Sequence, residues 1–134
     1  MKLNKLILSA AISMLSFSAF TMPSYAGEQA YHVIDGNKLD AASYNGFKLY
    51  RNWCARCHGT YGQGMVGPNL ADSLKSISQQ EFANTVENGK SGTIGSMPAW
   101  KANTKVMDGM ENIYGYLKAR SDGAIGAIKP KKAK

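Results

Sequence analysis

Residues 51–60 read RNWCARCHGT, and this stretch holds both cysteines of the chain and one of its two histidines, His58. Cys54 and Cys57 are separated by two residues and followed at once by the imidazole, which is the C-x-x-C-H spacing of c-type haem attachment. The reason is geometric. Two thiols about one helical turn apart can each bond to one vinyl group of a porphyrin, and the next residue carries its ring toward the iron. Other uses of a cysteine pair need context that the chain lacks. A thioredoxin-like redox pair sits at a strand-to-helix junction of a longer α/β chain, half a zinc site needs a second ligand pair, and a plain disulfide leaves the histidine without a role.

Haem iron has two axial positions, so a partner is needed opposite His58. His32 lies in a polar stretch ahead of the first helix and reads as a solvated side chain. Met65 is seven residues beyond His58 in a glycine-rich turn, too little chain to reach the other haem face. Met107 and Met110 fall at helical spacing in the last amphipathic segment, where apolar residues form core. Met97 stands in GTIGSMPAWK, a loop with Gly92, Gly95 and Pro98, 39 residues after His58. It is the expected sixth ligand, and its thioether favours ferrous iron relative to a second nitrogen.

The remaining pattern is that of an all-α domain. Asp40 can cap a helix over 41–55 whose apolar residues include Phe47, Leu49, Tyr50 and Trp53, with Gly46 permitting close approach of another helix. Ser78-Gln79-Gln80-Glu81 has the form of a capping box, opening a helix through Asn88 that Gly89 can stop. A final helix over 106–120 carries Met110, Ile113, Tyr114 and Leu117 on one face. No segment alternates long enough to argue for a strand.

The ends differ from this body. Lys2 and Lys5, an apolar run from Leu6 to Phe20, and Ser24-Tyr25-Ala26 read as a secretory signal peptide over 1–26. The run is short for a bilayer span and is broken by Pro23, so no stable membrane insertion is expected after cleavage. The full chain carries a net charge of +7, and four lysines lie in the last six residues. Between Gly27 and Ile128 the charges nearly balance, with 10 basic and 9 acidic side chains, so the basic character belongs to the tail. Residues 27–40 are expected to form a flexible mature N-terminus, 41–120 the domain, and 121–134 a solvated basic tail. An exported chain without a basic stripe of interleaved aromatics has no nucleic acid as an expected partner.

Cys54 to His58, then Gly67-Pro68-Asn69-Leu70, then Met97-Pro98 resembles the class I c-type cytochromes over most of residues 41–120. That resemblance implies a small fold of three or four helices around one covalently attached haem c, with the first and last helices crossing near Gly46 and Tyr114. It also implies that the carbonyl of Pro68 accepts from the second ring nitrogen of His58, which orients the ligand. NWCARCHGTYGQG, MPAW and ENIYGYLKARSDGAIG resemble cytochrome c-L and related periplasmic acceptors of pyrroloquinoline quinone (PQQ)-dependent alcohol and methanol dehydrogenases. A carrier rather than an enzyme is implied, passing electrons to a downstream cytochrome or oxidase. The alternatives are a general respiratory cytochrome and a haem protein whose labile sixth ligand admits a substrate or a sensed gas. Tyr61, Trp100 and Asn69 are candidate tuners of the haem; Ala55, Met65 and Ala99 are candidates for its exposed edge, with Lys90 and Lys101 steering a partner.

Overall fold

A computed structural model describes residues 29–93 and 95–134. The expected signal peptide lies outside the described residues. The chain runs β1 (Val33–Ile34), β2 (Lys38–Leu39), α1 (Ala41–Trp53), α2 (Ala55–His58), α3 (Leu70–Ser73), α4 (Gln79–Asn88), β3 (Lys90–Ser91), β4 (Ser96–Met97), α5 (Thr104–Asp108), α6 (Met110–Ser121) and β5 (Lys131–Lys132). The fold is all-α in character. Among the described residues three longer helices, α1, α4 and α6, carry the core, and three single turns carry the loops between them.

The helix ends follow the side-chain chemistry read from the sequence. The Asp40 carboxylate accepts from the N–H groups of Ala42 and Ser43 at 2.9 and 3.0 Å, meeting two of the donors that a helix start leaves open. Ser78 Oγ accepts from the Glu81 N–H at 3.1 Å, and α4 stops at Gly89 with φ 75°.

α1 packs chiefly on α6. A Cβ placed on Gly46 would lie 1.7 Å from the carbonyl oxygen of Asn112, so only glycine permits this crossing. Around it Phe47 and Tyr50 close on Tyr116 with ring centroids 5.2 and 5.4 Å apart, and Phe82 of α4 closes on Tyr114 at 5.4 Å. Met110, Ile113, Tyr114 and Leu117 are all buried, as their spacing predicts. Each fully buried aliphatic side chain in this set contributes about 1.5–3 kcal/mol.

Two features depart from the sequence reading. The final helix divides at Gly109, where a Cβ would meet Leu49 Cδ1 at 2.1 Å, and α5 opens under its own cap as Asn103 Oδ1 accepts from the Val106 N–H. The segments before and after the helical body, read as flexible lead-in and solvated tail without strands, pair with each other. β1 and β2 form an antiparallel hairpin with Asp35 and Gly36 in left-handed backbone, and β5 joins β2 in parallel. Leu39 is fully buried, Ile125 is 1% exposed and Pro130 is buried, so both segments contribute to the core. Asp-Gly in VIDGNK is a hairpin signal that the sequence carries and that strand alternation alone overlooks.

Candidate haem-binding site

α1 ends at Trp53, and the backbone N–H of Cys54 still donates to Tyr50 at 2.9 Å. The chain then makes the single turn α2, in which the N–H groups of Cys57 and His58 both reach the carbonyl of Cys54, at 3.1 and 3.0 Å. Both thiols are therefore carried by one helical turn, with Cys54 half-buried and Cys57 exposed. Burial, with a smaller contribution from Cys57, pushes the Cys54 thiol up to about 12, so the free chain holds it protonated and uncharged at neutral pH.

His58 is only 7% exposed. Its Nδ1 lies 2.9 Å from the carbonyl oxygen of Pro68. A carbonyl only accepts, so Nδ1 carries the proton and donates, which leaves the lone pair on Nε2 free for a metal. The loop that delivers Pro68 is tied back at several points. Gly64 N–H donates to the His58 carbonyl, Gly67 N–H to Cys57 and Leu70 N–H to Gly62, each at 2.8 Å. Beneath it the buried Tyr50 hydroxyl donates to the carbonyl of Gly59. Gly67 lies flat against the imidazole, and a Cβ there would stand 2.7 Å from Cε1.

Met97 comes from a separate element. β3 and β4 form a short antiparallel hairpin that pairs Lys90 with Met97, and the Gly92 N–H closes its end on the Gly95 carbonyl at 2.8 Å. Gly89, with φ 75°, lies so near that its absent Cβ would fall 2.5 Å from the Met97 carbonyl oxygen. Trp100 N–H donates to the Val86 carbonyl at 3.0 Å, anchoring the far end of the loop to α4. The Trp100 ring meets Trp53 edge-on at 5.9 Å, so the methionine loop touches the end of α1 directly before Cys54.

The other residues weighed as ligands have these positions. Met65 is 66% exposed, while Met107 and Met110 line a hollow between α4 and the last two helices. His32 is exposed, and its N–H donates to Asp40 at 2.8 Å. Of the candidate tuners, Asn69 caps α3 by accepting from Asp72 N–H at 3.3 Å and donating to the Asp72 carboxylate at 2.6 Å. Its side chain is occupied by local structure. Tyr61 accepts from Arg120 Nε through its carbonyl at 2.9 Å, a tie between the loop and α6 that the sequence does not reveal. Ala55 is half-buried; Ala99, Lys90 and Lys101 are exposed.

Two thiols on one turn, a buried imidazole with its free nitrogen defined by a carbonyl, and a thioether on a separate short loop suit a covalently bound haem. The family described as cytochrome C oxidase, cbb3-type, subunit III matches residues 41–117. Cytochrome c-555 of Methylococcus capsulatus is 36% identical over 123 residues, covering 90% of this chain and 89% of that protein. Cytochrome c-553I of Paracoccus denitrificans is 30% identical over 107 residues, covering 76% of this chain and 47% of that protein. Among solved structures, the c-type cytochrome XoxG from Methylobacterium extorquens AM1 superposes with a TM-score of 0.72 at 38% identity, covering 78% of this chain and 67% of that one. The chain belongs to this family, within the class I c-type cytochromes. It is a monohaem electron carrier with one covalently attached haem c.

Proposed function

We propose that the chain is an exported, periplasmic carrier that takes single electrons from a PQQ-dependent alcohol or methanol dehydrogenase and passes them to the respiratory chain. Cys54 and Cys57 would hold the haem and His58 and Met97 would ligate its iron, with the Pro68 carbonyl orienting His58. The observation that carries the reading is the 2.9 Å bond from His58 Nδ1 to Pro68, because it presents Nε2 as a ligand in a buried, fixed orientation. When bound, the haem supplies one-electron chemistry by cycling between ferric and ferrous iron. With His58 and Met97 both ligating, the bound haem would have no open site for a substrate, which supports a carrier.

The choice of donor is supported by the MPAW and ENIYGYLKARSDGAIG segments and by the likeness to XoxG. Close to the motif in sequence, three large apolar side chains are exposed. Met65 is 66%, Val66 68% and Trp53 36% exposed, and such exposed apolar groups suit a weak, short-lived contact and fast turnover.

The test is a spectrum of the purified holoprotein, oxidised and reduced, followed by addition of a PQQ alcohol dehydrogenase and its alcohol. A far-red band from methionine on ferric iron, with rapid reduction by the alcohol, is expected. A c-type spectrum that the dehydrogenase leaves oxidised overturns the donor and leaves the carrier in place. An intact far-red band in Met97→Ala overturns the sixth ligand.

A further inference from the structure

Flanking the haem-binding segment, a hollow of about 400 Å³ opens between the outer face of α1, the loop after His58 and the C-terminal segment. Lys48, Arg51 and Lys129 stand around it with Asn52, Thr60 and Tyr61, and among the described residues no acidic side chain lines it. We propose that this hollow binds an oxyanion of phosphate type.

Three observations carry the assignment. First, its cations have no carboxylate partner among the described residues, Lys48 Nζ resting only over the Tyr44 ring at 6.0 Å. Among the described residues the ion pairs are Lys38–Asp35, Lys75–Asp72 and Lys118–Asp122, and none involves Lys48, Arg51 or Lys129. Gathering three positive charges without a counter-charge disfavours the fold, and an anion in their midst reverses the sign of that effect.

Second, the cluster is assembled by tertiary structure. Lys129 reaches α1 because the segment around it is anchored on both sides, by buried Ile125 before it and buried Pro130 after it. β5 then locks onto β2, with Lys131 N–H donating to Asn37 and Ala133 N–H to Leu39, both at 2.8 Å. Arg120 joins the two walls. Its Nε donates to Tyr61 at 2.9 Å and its Nη1 to Ile125 at 2.8 Å, holding the loop after His58 and the start of the tail in one register.

Third, the donors match the ligand. The Arg51 guanidinium offers a planar fork, the two lysines add point charges, and the Asn52 amide and the Thr60 and Tyr61 hydroxyls can serve further oxygens. A single phosphate-type group presents several acceptors on one atom, which is what this ring of donors requires. Arg51 precedes Cys54 by three residues and Thr60 follows His58 by two. An anion here adds negative charge beside the haem-bearing segment, favours the ferric form and lowers the reduction potential.

The experiment is a titration of ¹⁵N-labelled, reduced holoprotein with inorganic pyrophosphate, against sodium chloride at matched ionic strength. Saturable shifts of the amides of Lys48, Arg51, Thr60 and Lys129 are expected, with affinity at least tenfold weaker in Arg51→Gln/Lys129→Gln. Lys75→Gln/Lys105→Gln, which removes the same charge elsewhere, should bind as the natural chain does. Sedimentation with phosphatidylglycerol and phosphatidylcholine vesicles separates the sources. A response to pyrophosphate assigns a soluble anion, whereas retention by the anionic vesicles alone, lost in the hollow variant, assigns a lipid headgroup phosphate. Shifts that match the chloride control, or that survive in Arg51→Gln/Lys129→Gln, or an equal loss in the control variant, overturn the proposal. The readout is a binding isotherm on the chain itself, so it stands or falls independently of which dehydrogenase donates the electron.

Discussion

The two sides of the haem-binding site are built differently. The histidine side, from Cys54 to Asn69, is a continuous stretch of chain folded back on itself by short backbone hydrogen bonds, with Gly67 pressed against the ring of His58. The methionine side, from Gly89 to Trp100, is a two-residue hairpin attached to the body by Gly89 at one end and by the Trp100 backbone and ring at the other. The first holds a side chain; the second holds a backbone. The difference teaches that His58 is oriented locally, whereas the placing of Met97, the proposed sixth ligand, depends on where a separate element docks.

Removing an attachment point tests the contrast most strongly. Cys57→Ser, on the histidine side, should sharply reduce accumulation of folded protein, because the small core depends on a group bound only by the native state. Met97→Ala should accumulate normally, keep its haem, lose the far-red band and fall in potential, within the roughly 0.8 V over which axial ligands move haem proteins. Yields and potentiometric titrations of the two variants side by side would break the contrast if they came out alike.

The two glycines sharpen it. Gly89→Ala places a Cβ at left-handed φ and 2.5 Å from the Met97 carbonyl oxygen, so backbone must move and about 3 kcal/mol should be lost. Gly67→Ala meets a ring 2.7 Å away that can tilt, so about 1–2 kcal/mol is expected, with the main effect on the spectrum through the His58–Pro68 bond. Denaturant midpoints order the pair, and equal losses would mean that the methionine hairpin is no more backbone-dependent than the motif loop.

The smallest effect belongs to a cap remote from both sides. Burial raises the Asp40 carboxyl, but hydrogen bonds from the N–H groups of Ser43, His32 and Ala42 outweigh it, leaving the group below its ordinary 3.8. A depressed folded value means stability present above about 3.8 and lost as pH falls through the lower folded value. Asp40→Ala should cost about 1 kcal/mol at neutral pH, and the gap between variant and natural chain should close in acid. A gap that stays constant down to the acid limit would place the effect elsewhere in α1.

Much of the molecule was legible where the cause is local. C-x-x-C-H needs only one helical turn, the caps at Asp40 and Ser78 act within three residues, and the buried face of α6 follows from spacing alone. Asn69 was less legible, because whether an amide tunes a cofactor or caps a helix depends on the turn that follows it. Gly109 was read as the inside of a helix, since its reason, Leu49, lies on another element. The near-complete burial of α6 was also hidden. A Cβ on Gly115 would meet the Ala30 carbonyl at 2.3 Å, so the N-terminal segment covers a side of the helix that periodicity leaves open.

By itself, then, the sequence determined the chemistry: two thiols and an imidazole in fixed covalent order, a methionine on a glycine- and proline-bearing loop, and helices whose limits and apolar faces are written in short-range pattern. Tertiary structure decided which distant segments meet. Two-residue strands leave no alternation to read, yet Lys38 and Leu39 pair with Lys131 and Lys132 from the far end of the chain. That pairing makes an ordered wall of a basic tail, because backbone groups buried in contact must find partners wherever the fold supplies them.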